Sequence, residues 1–158
     1  MSATMPPRLR MVGGLSDPPD PATVLLVDDD AIDVMAIRRA FKTLRINNNL
    51  VTAGDGIEAL DRLRGTNGLT KVPRPHIVLL DLSMPRMGGV EFLCELRDDP
   101  DLCRTVVFVM TTSAASEDRV RAYQMNIAGY VVKRHSGRSF VDAIGMLRQY
   151  WSVIQLPD

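Results

Sequence analysis

The run TVLLVDDD, residues 23–30, sets five apolar or β-branched residues directly against three acids. Residues 23–27 show no alternation of apolar and polar side chains, so the strand they form is buried on both faces. After the acids, Val34, Ile37, Phe41 and Leu44 recur at helical spacing, with Arg38, Arg39 and Lys42 between them. A doubly buried strand followed by a helix with one apolar stripe is the repeating unit of a parallel sheet covered by helices.

The unit recurs along the chain. NLVTA (49–53) reads as a short strand and GIEALDRLR (56–64) as a helix with Ile57, Leu60 and Leu63 on one face. A Gly- and Pro-rich loop, GTNGLTKVPRP, leads into HIVLLDL (76–82), a second fully apolar strand. The helix GVEFLCELRDD (89–99) turns Val90, Leu93 and Leu96 inward, and TVVFVMT (105–111) is another buried strand. SEDRVRAYQMN (116–126) is a helix with Ser116 as its N-cap and acids in its first turn. GYVV (129–132) is a short strand, and a last helix from about Arg138 to Ile154 aligns Phe140, Ile144, Leu147, Trp151 and Ile154.

Strand and helix thus alternate five times. With right-handed crossovers the pattern predicts an α/β fold: a doubly wound, five-stranded parallel sheet of order 2-1-3-4-5, flavodoxin-like, with helices on both faces. The chain of 158 residues is the size of one domain. Residues 1–21 carry Pro6, Pro7, Pro18, Pro19 and Pro21 with Gly13 and Gly14, and are expected to form a flexible arm; residues 22–158 form the domain.

Charge and composition exclude several classes. Lys plus Arg number 19 and Asp plus Glu number 19, so the chain lacks the positive field that non-specific nucleic-acid binding needs. No apolar run approaches the ~20 residues that cross a bilayer, and a cytoplasmic location with no membrane contact is expected. Cys94 and Cys103 have neither CxxC spacing nor a His cluster and read as free thiols. There is no GxxxxGK[ST] loop, no GxSxG elbow and no GxGxxG after a strand. His76 follows Pro75 at a strand start and reads as structural.

In the expected topology, ligands lie at the carboxyl ends of the strands. Those ends carry Asp28 and Asp29, Asp81, Thr111 and Lys133. Asp30 and Asp33 sit where acids cap a helix. Capping does not account for Asp28, Asp29 and Asp81 together: like charges ~4 Å apart repel by about 4 kcal/mol at an effective dielectric of 20. A hard divalent ion with oxygen ligands, Mg2+ above all, relieves that repulsion. With Lys133 added, the site can also take an anion, and a phosphoryl group fits. In YVVKRHSGRS (130–139), Lys133 therefore belongs to this site, while Arg134, His135 and Arg138 belong to the following turn and helix rather than to a nucleic-acid patch.

LLVDDD (25–30), IVLLDLSMPRMGG (77–89), VVFVMTTS (106–113) and GYVVK (129–133) together resemble the receiver domain of two-component response regulators, over about residues 22–154. The resemblance implies that Asp81 is the phosphoacceptor, attacking the phosphohistidine of a sensor histidine kinase. It implies that Asp29, Asp81 and the Ser83 carbonyl bind Mg2+ directly and Asp28 through water. It further implies that Lys133 contacts a phosphoryl oxygen, that Thr111 hydrogen-bonds the group, and that the Tyr130 ring follows Thr111 inward. Ser83 and Ser113 fall at positions that tune dephosphorylation in the family. RDDPDL (97–102), the doubled TTS, the long loop before residue 76 and YWSVIQLP (150–157) look like small stand-alone receivers of phytochrome-type kinases. That likeness implies a signalling phosphoprotein, not an enzyme beyond its own phosphotransfer and dephosphorylation. It implies no output domain and a kinase partner of the bacteriophytochrome kind.

Two departures from the family pattern stand out. Arg134 occupies the place of a proline that usually follows the Lys through a cis bond. A cis bond to a non-proline costs roughly 2.5–4 kcal/mol, so a trans Lys133–Arg134 bond is expected. Asn126 replaces a common Gly and is expected to take the left-handed C-terminal position. An Mg2+-dependent phosphatase of the haloacid dehalogenase type is an alternative, but its second Asp would fall at Ser83. A receiver-like interaction module without chemistry is another, and the complete acid–Thr–Lys set argues against it. The surface of the fourth helix, fifth strand and last helix, with Arg119, Arg121, Arg134, Arg138 and Arg148 beside Glu117, Asp118 and Asp142, is the expected partner face and a possible homodimer contact by family analogy; a solvated mixed-charge face is the competing reading.

Overall fold

The computed structural model describes residues 22–112, 114–133, 137–153 and 156–157, with the side chains of 137–139 outside that description. Five parallel strands form one sheet: β1 (Thr23–Val27), β2 (Leu50–Ala53), β3 (His76–Leu80), β4 (Val106–Thr111) and β5 (Gly129–Val132). Their order is β2-β1-β3-β4-β5, as expected. The helices between and after them are α1 (Ala31–Thr43), α2 (Gly56–Arg64), α3 (Gly89–Asp98), α4 (Ser116–Gln124) and α5 (Gly137–Val153).

The alternation of side chains along each strand divides the core in two. Leu25, Val27, Val78, Leu80, Val107 and Val109 point to one face, where Ala59, Leu60 and Leu63 of α2, Phe92, Leu93 and Leu96 of α3, and Ala122 of α4 cover them. Val24, Leu26, Ile77, Leu79, Phe108 and Met110 point to the other, against Ile37, Ala40 and Phe41 of α1 and Phe140, Ile144 and Leu147 of α5. Both faces of β1 and β3 are therefore dry, which is why their sequences lack polar alternation.

Three sequence expectations need correction. Ile57 is exposed, and Ala59 takes the inward place beside Leu60 and Leu63. A nine-residue helix opening on Gly56 beside Met87 has its first turn against the neighbouring loop rather than over the core. Phe92 lies fully buried on α3, whereas Val90 is only half-buried. The residue that caps α4 is Ala115, which has no side-chain hydrogen bond to give; Ser116 is already inside the helix. Asn126 does adopt the left-handed conformation, at φ 59°. Its carbonyl and that of Met125 accept hydrogen bonds from Arg97 at 3.0 and 2.8 Å. The Lys133–Arg134 bond, Ser113 and Ile154 lie outside the described residues.

Register sets up the site. Val27 pairs with Leu80 across β1 and β3, and Thr111 with Val132 across β4 and β5. Asp28 and Asp81 therefore leave the sheet side by side, and Lys133 leaves it beside Thr111. Backbone bonds continue the ladder one step beyond the strands: Asp28 N–H to the Ala53 carbonyl at 2.9 Å, Asp81 N–H to Val27 at 2.9 Å, and Lys133 N–H to Thr111 at 2.7 Å.

Candidate functional site

The carboxyl ends of β1, β3, β4 and β5 bring Asp28, Asp29, Asp81, Thr111 and Lys133 to one crevice, as the strand pattern implied. Asp28, Asp81, Thr111 and Lys133 are buried, while Asp29 is exposed at the rim. Carboxylate oxygens of Asp28, Asp29 and Asp81 all lie within 4.8 Å of one another. The Lys133 ammonium donates to Asp28 at 2.6 Å and to Asp33 at 2.8 Å, and stands 3.4 Å from Asp81. Asp33 is the site residue that sequence reasoning missed. It projects from the first turn of α1 and reaches Lys133, while Asp30 alone caps that helix, accepting from the N–H groups of Ile32 and Asp33.

Four carboxylates thus face one ammonium, and the titration shifts reflect this excess. Burial pushes the Asp28 carboxyl up to about 6, against the pull of its bonds from Lys133 and from the Asp30 N–H. For Lys133, burial works against the charged form, but the hydrogen bonds to Asp28 and Asp33 outweigh it and raise the ammonium above the ordinary Lys range. Both partners move upward because negative charge exceeds what one Lys can neutralise. A clustered, oxygen-only, under-neutralised donor set is what a hard divalent cation fits.

The loop after β3 is held firmly. Its Gly89 N–H donates to the Leu82 carbonyl at 3.0 Å, and a Cβ on Gly89 would lie 2.6 Å from the Leu82 Cα and 2.7 Å from the Asp81 carbonyl oxygen. Gly56 N–H donates to the Met87 carbonyl at 3.1 Å, and Arg86, at φ 59°, donates through Nε to Asp55 at 2.7 Å. Within this loop the Ser83 N–H lies 3.3 Å from an Asp81 carboxylate oxygen, and Ser83 itself is exposed at the crevice mouth. Neither Asp55 nor Arg86 carries a sequence signal that separates it from other surface charges. Tyr130 is half-buried against the α2–α3–α4 side of the core.

Fold and site together define a receiver domain. A family model described as the response regulator receiver domain matches residues 24–145, and the chain belongs to that family. It is a receiver-domain protein of two-component signalling. Response regulator Rcp1 of Synechocystis sp. is 30% identical over 138 residues, spanning 87% of this chain and 94% of Rcp1. The crystal structure of the Mn(2+)-bound form of Rcp1 matches with a TM-score of 0.78. The phosphorylated cyanobacterial phytochrome response regulator RcpA matches at TM-score 0.80 and 29% identity, over 87% of this chain and 99% of that one. Response regulator RPA3017, described in red light signalling of R. palustris, matches at TM-score 0.79 and 32% identity with the same coverage. Among the described residues no helix is long and apolar enough to cross a membrane.

Proposed function

We propose that this response regulator accepts a phosphoryl group on Asp81 from a sensor histidine kinase. The observation that carries the reading is the placement of the Asp81 carboxylate between a buried ammonium, 3.4 Å away, and a clustered pair of further acids. An Asp81 oxygen would form the bond to phosphorus as the phosphorus–nitrogen bond to the kinase histidine breaks. Asp28, Asp29, Asp81 and the Ser83 carbonyl would hold Mg2+, which supplies charge neutralisation for the transferring group when bound. Lys133 neutralises one phosphoryl oxygen, and Thr111, fully buried at the end of β4, donates its hydroxyl to another. The firmly held loop keeps the acceptor in line, so the protein's contribution is position and charge rather than proton transfer.

The output is a change of the α4–β5–α5 face as Thr111 and Tyr130 shift. Val120 and Tyr123 are exposed large side chains on α4, among Glu117, Arg119 and Arg121, which suits a phosphorylation-sensitive contact with a partner or a second copy. The kinase we favour is of the phytochrome type, supported by the likeness to RcpA and RPA3017. The test is labelling by acetyl phosphate with Mg2+, read by intact mass. Wild type gains one phosphoryl group and Asp81→Asn gains none; equal labelling of the two proteins refutes Asp81 as the acceptor.

A further inference from the structure

The grip of Asp33 on Lys133 has no part in capping α1, which Asp30 performs. Nor does Asp33 belong to the acid cluster suited to a metal, which consists of Asp28, Asp29 and Asp81. Its carboxylate is largely buried, with 17% of the side chain exposed, and lies 2.8 Å from the ammonium. An ammonium has three N–H donors. Two reach Asp28 and Asp33 at 2.6 and 2.8 Å, and the acid nearest the third, Asp81, is farther off at 3.4 Å. Asp33 therefore adds negative charge to the crevice and draws Lys133 away from Asp81.

We propose that Asp33 is a positioning residue that competes with the Asp81 phosphoryl group for Lys133 and thereby shortens the life of the phosphorylated state. The inference rests on the reading of Asp81 as phosphoacceptor. Its consequences for cation and anion are opposite in sign. The Asp33 charge favours a divalent cation in the crevice. The same charge disfavours a phosphoryl dianion and shares the ammonium that would neutralise it. Hydrolysis returns the Asp81 carboxylate: water adds to phosphorus, the bond from phosphorus to the Asp81 oxygen breaks, and inorganic phosphate leaves with the water's oxygen and protons. More neutralisation of the phosphoryl oxygens by Lys133 stabilises the charged ground state and slows this step.

The experiment compares Asp33→Asn and Asp33→Ala with wild type and with Asp30→Asn, a control that removes one charge from the same turn but has no contact with Lys133. Mn2+ affinity is measured by electron paramagnetic resonance on the unphosphorylated proteins. Phosphoryl half-life is measured by intact mass after labelling with acetyl phosphate and Mg2+ and removal of the donor. Both Asp33 variants are expected to bind Mn2+ about threefold to tenfold more weakly and to keep the phosphoryl group longer by a similar factor. Asp30→Asn is expected to change both by less than about twofold, as an exposed, screened charge should. Unchanged half-lives, shorter half-lives, or shifts no larger than those of Asp30→Asn overturn the proposal while labelling of wild type upholds the acceptor reading. Labelling that persists in Asp81→Asn overturns both. A thermal unfolding midpoint for each variant identifies a loss of fold, and the Asn variant, which keeps the shape of the side chain, then decides the outcome.

Discussion

Two buried cations sit at opposite ends of the sheet and are held in opposite ways. Lys133, at the carboxyl end, is surrounded by carboxylates: Asp28, Asp33 and Asp81. Arg97, at the amino end, donates to backbone carbonyls of Cys103, Thr105, Met125 and Asn126 at 2.7–3.0 Å. Carbonyls cannot titrate, move independently or bind a competing metal. The carboxylates around Lys133 can do all three. A cation among fixed neutral acceptors fastens two turns together, whereas one among surplus charges is poised to exchange partners.

Removing each cation is the strongest way to break this comparison. Lys133→Met is expected to lose phosphoryl transfer almost entirely and, in chelator, to lose about 3 kcal/mol of stability by leaving buried acids unpaired. Saturating Mg2+ should return much of that stability, about 2.7 kcal/mol at a hundredfold excess over its dissociation constant. Arg97→Met is expected to lose roughly 2–4 kcal/mol because its carbonyls lose their donors, with no recovery by Mg2+ and little change in phosphorylation rate. Urea unfolding with and without Mg2+ measures both. Recovery of Arg97→Met by Mg2+, or its absence in Lys133→Met, would remove the distinction.

The two ends also differ in how far sequence exposes them. Asp28, Asp81 and Lys133 are legible because each follows an unbroken apolar strand, and a parallel sheet with flush register must bring such residues together. The core faces of β1 and β3 are legible for the same reason. Asp33 is not: it lies in the first turn of a helix, where an acid serves equally well as a cap or a dipole partner, and only the path of α1 over the crevice shows which role it takes. The Asp55–Arg86 pair and the carbonyl cage of Arg97 join residues distant in sequence or buried in turns, and nothing in local spacing records such pairings. Ile57 misled because short helices have few turns in which apolar periodicity can show itself.

Acidity gives a second contrast between the ends. At the amino end, His76 is buried and its imidazole pKa falls to about 4 from 6.5, first through burial and then through Arg74 nearby. A depressed His is protonated more readily in the unfolded chain, so its contribution is complete above pH 6.5 and is lost as pH falls toward 4, up to roughly 3 kcal/mol in all. At the carboxyl end, Asp28 is raised from 3.8 to about 6, so its sign reverses: stability falls as pH rises across that window. Between pH 4 and 6 the two slopes oppose each other. Without divalent metal, His76→Gln should therefore lose stability relative to wild type as pH rises from 4 to 6. Asp28→Asn should gain it over the same range. Urea titrations at half-unit pH steps read both differences, and parallel curves for the three proteins would show that neither group titrates as stated.

The smallest expected effect separates two helices that begin at the same, carboxyl end of the sheet. α1 opens with Asp30 accepting from two backbone N–H groups, whereas Ala115 at the head of α4 offers no side-chain acceptor. The first turn of α4 relies on Glu117 and Asp118 to meet its dipole, which leaves the N–H groups of that turn without a side-chain cap. Ala115→Asp should stabilise the protein by about 0.5–1 kcal/mol, the usual worth of such a cap. Because α4 belongs to the face proposed to move on phosphorylation, the gain should appear locally as slower amide hydrogen exchange in residues 116–124. The same substitution in a helix already capped adds nothing, so Asp30→Ser in α1 serves as its counterpart and should leave stability nearly unchanged. If Ala115→Asp fails to protect α4, then the first turn already finds its acceptors elsewhere, and α4 is as firmly seated as α1.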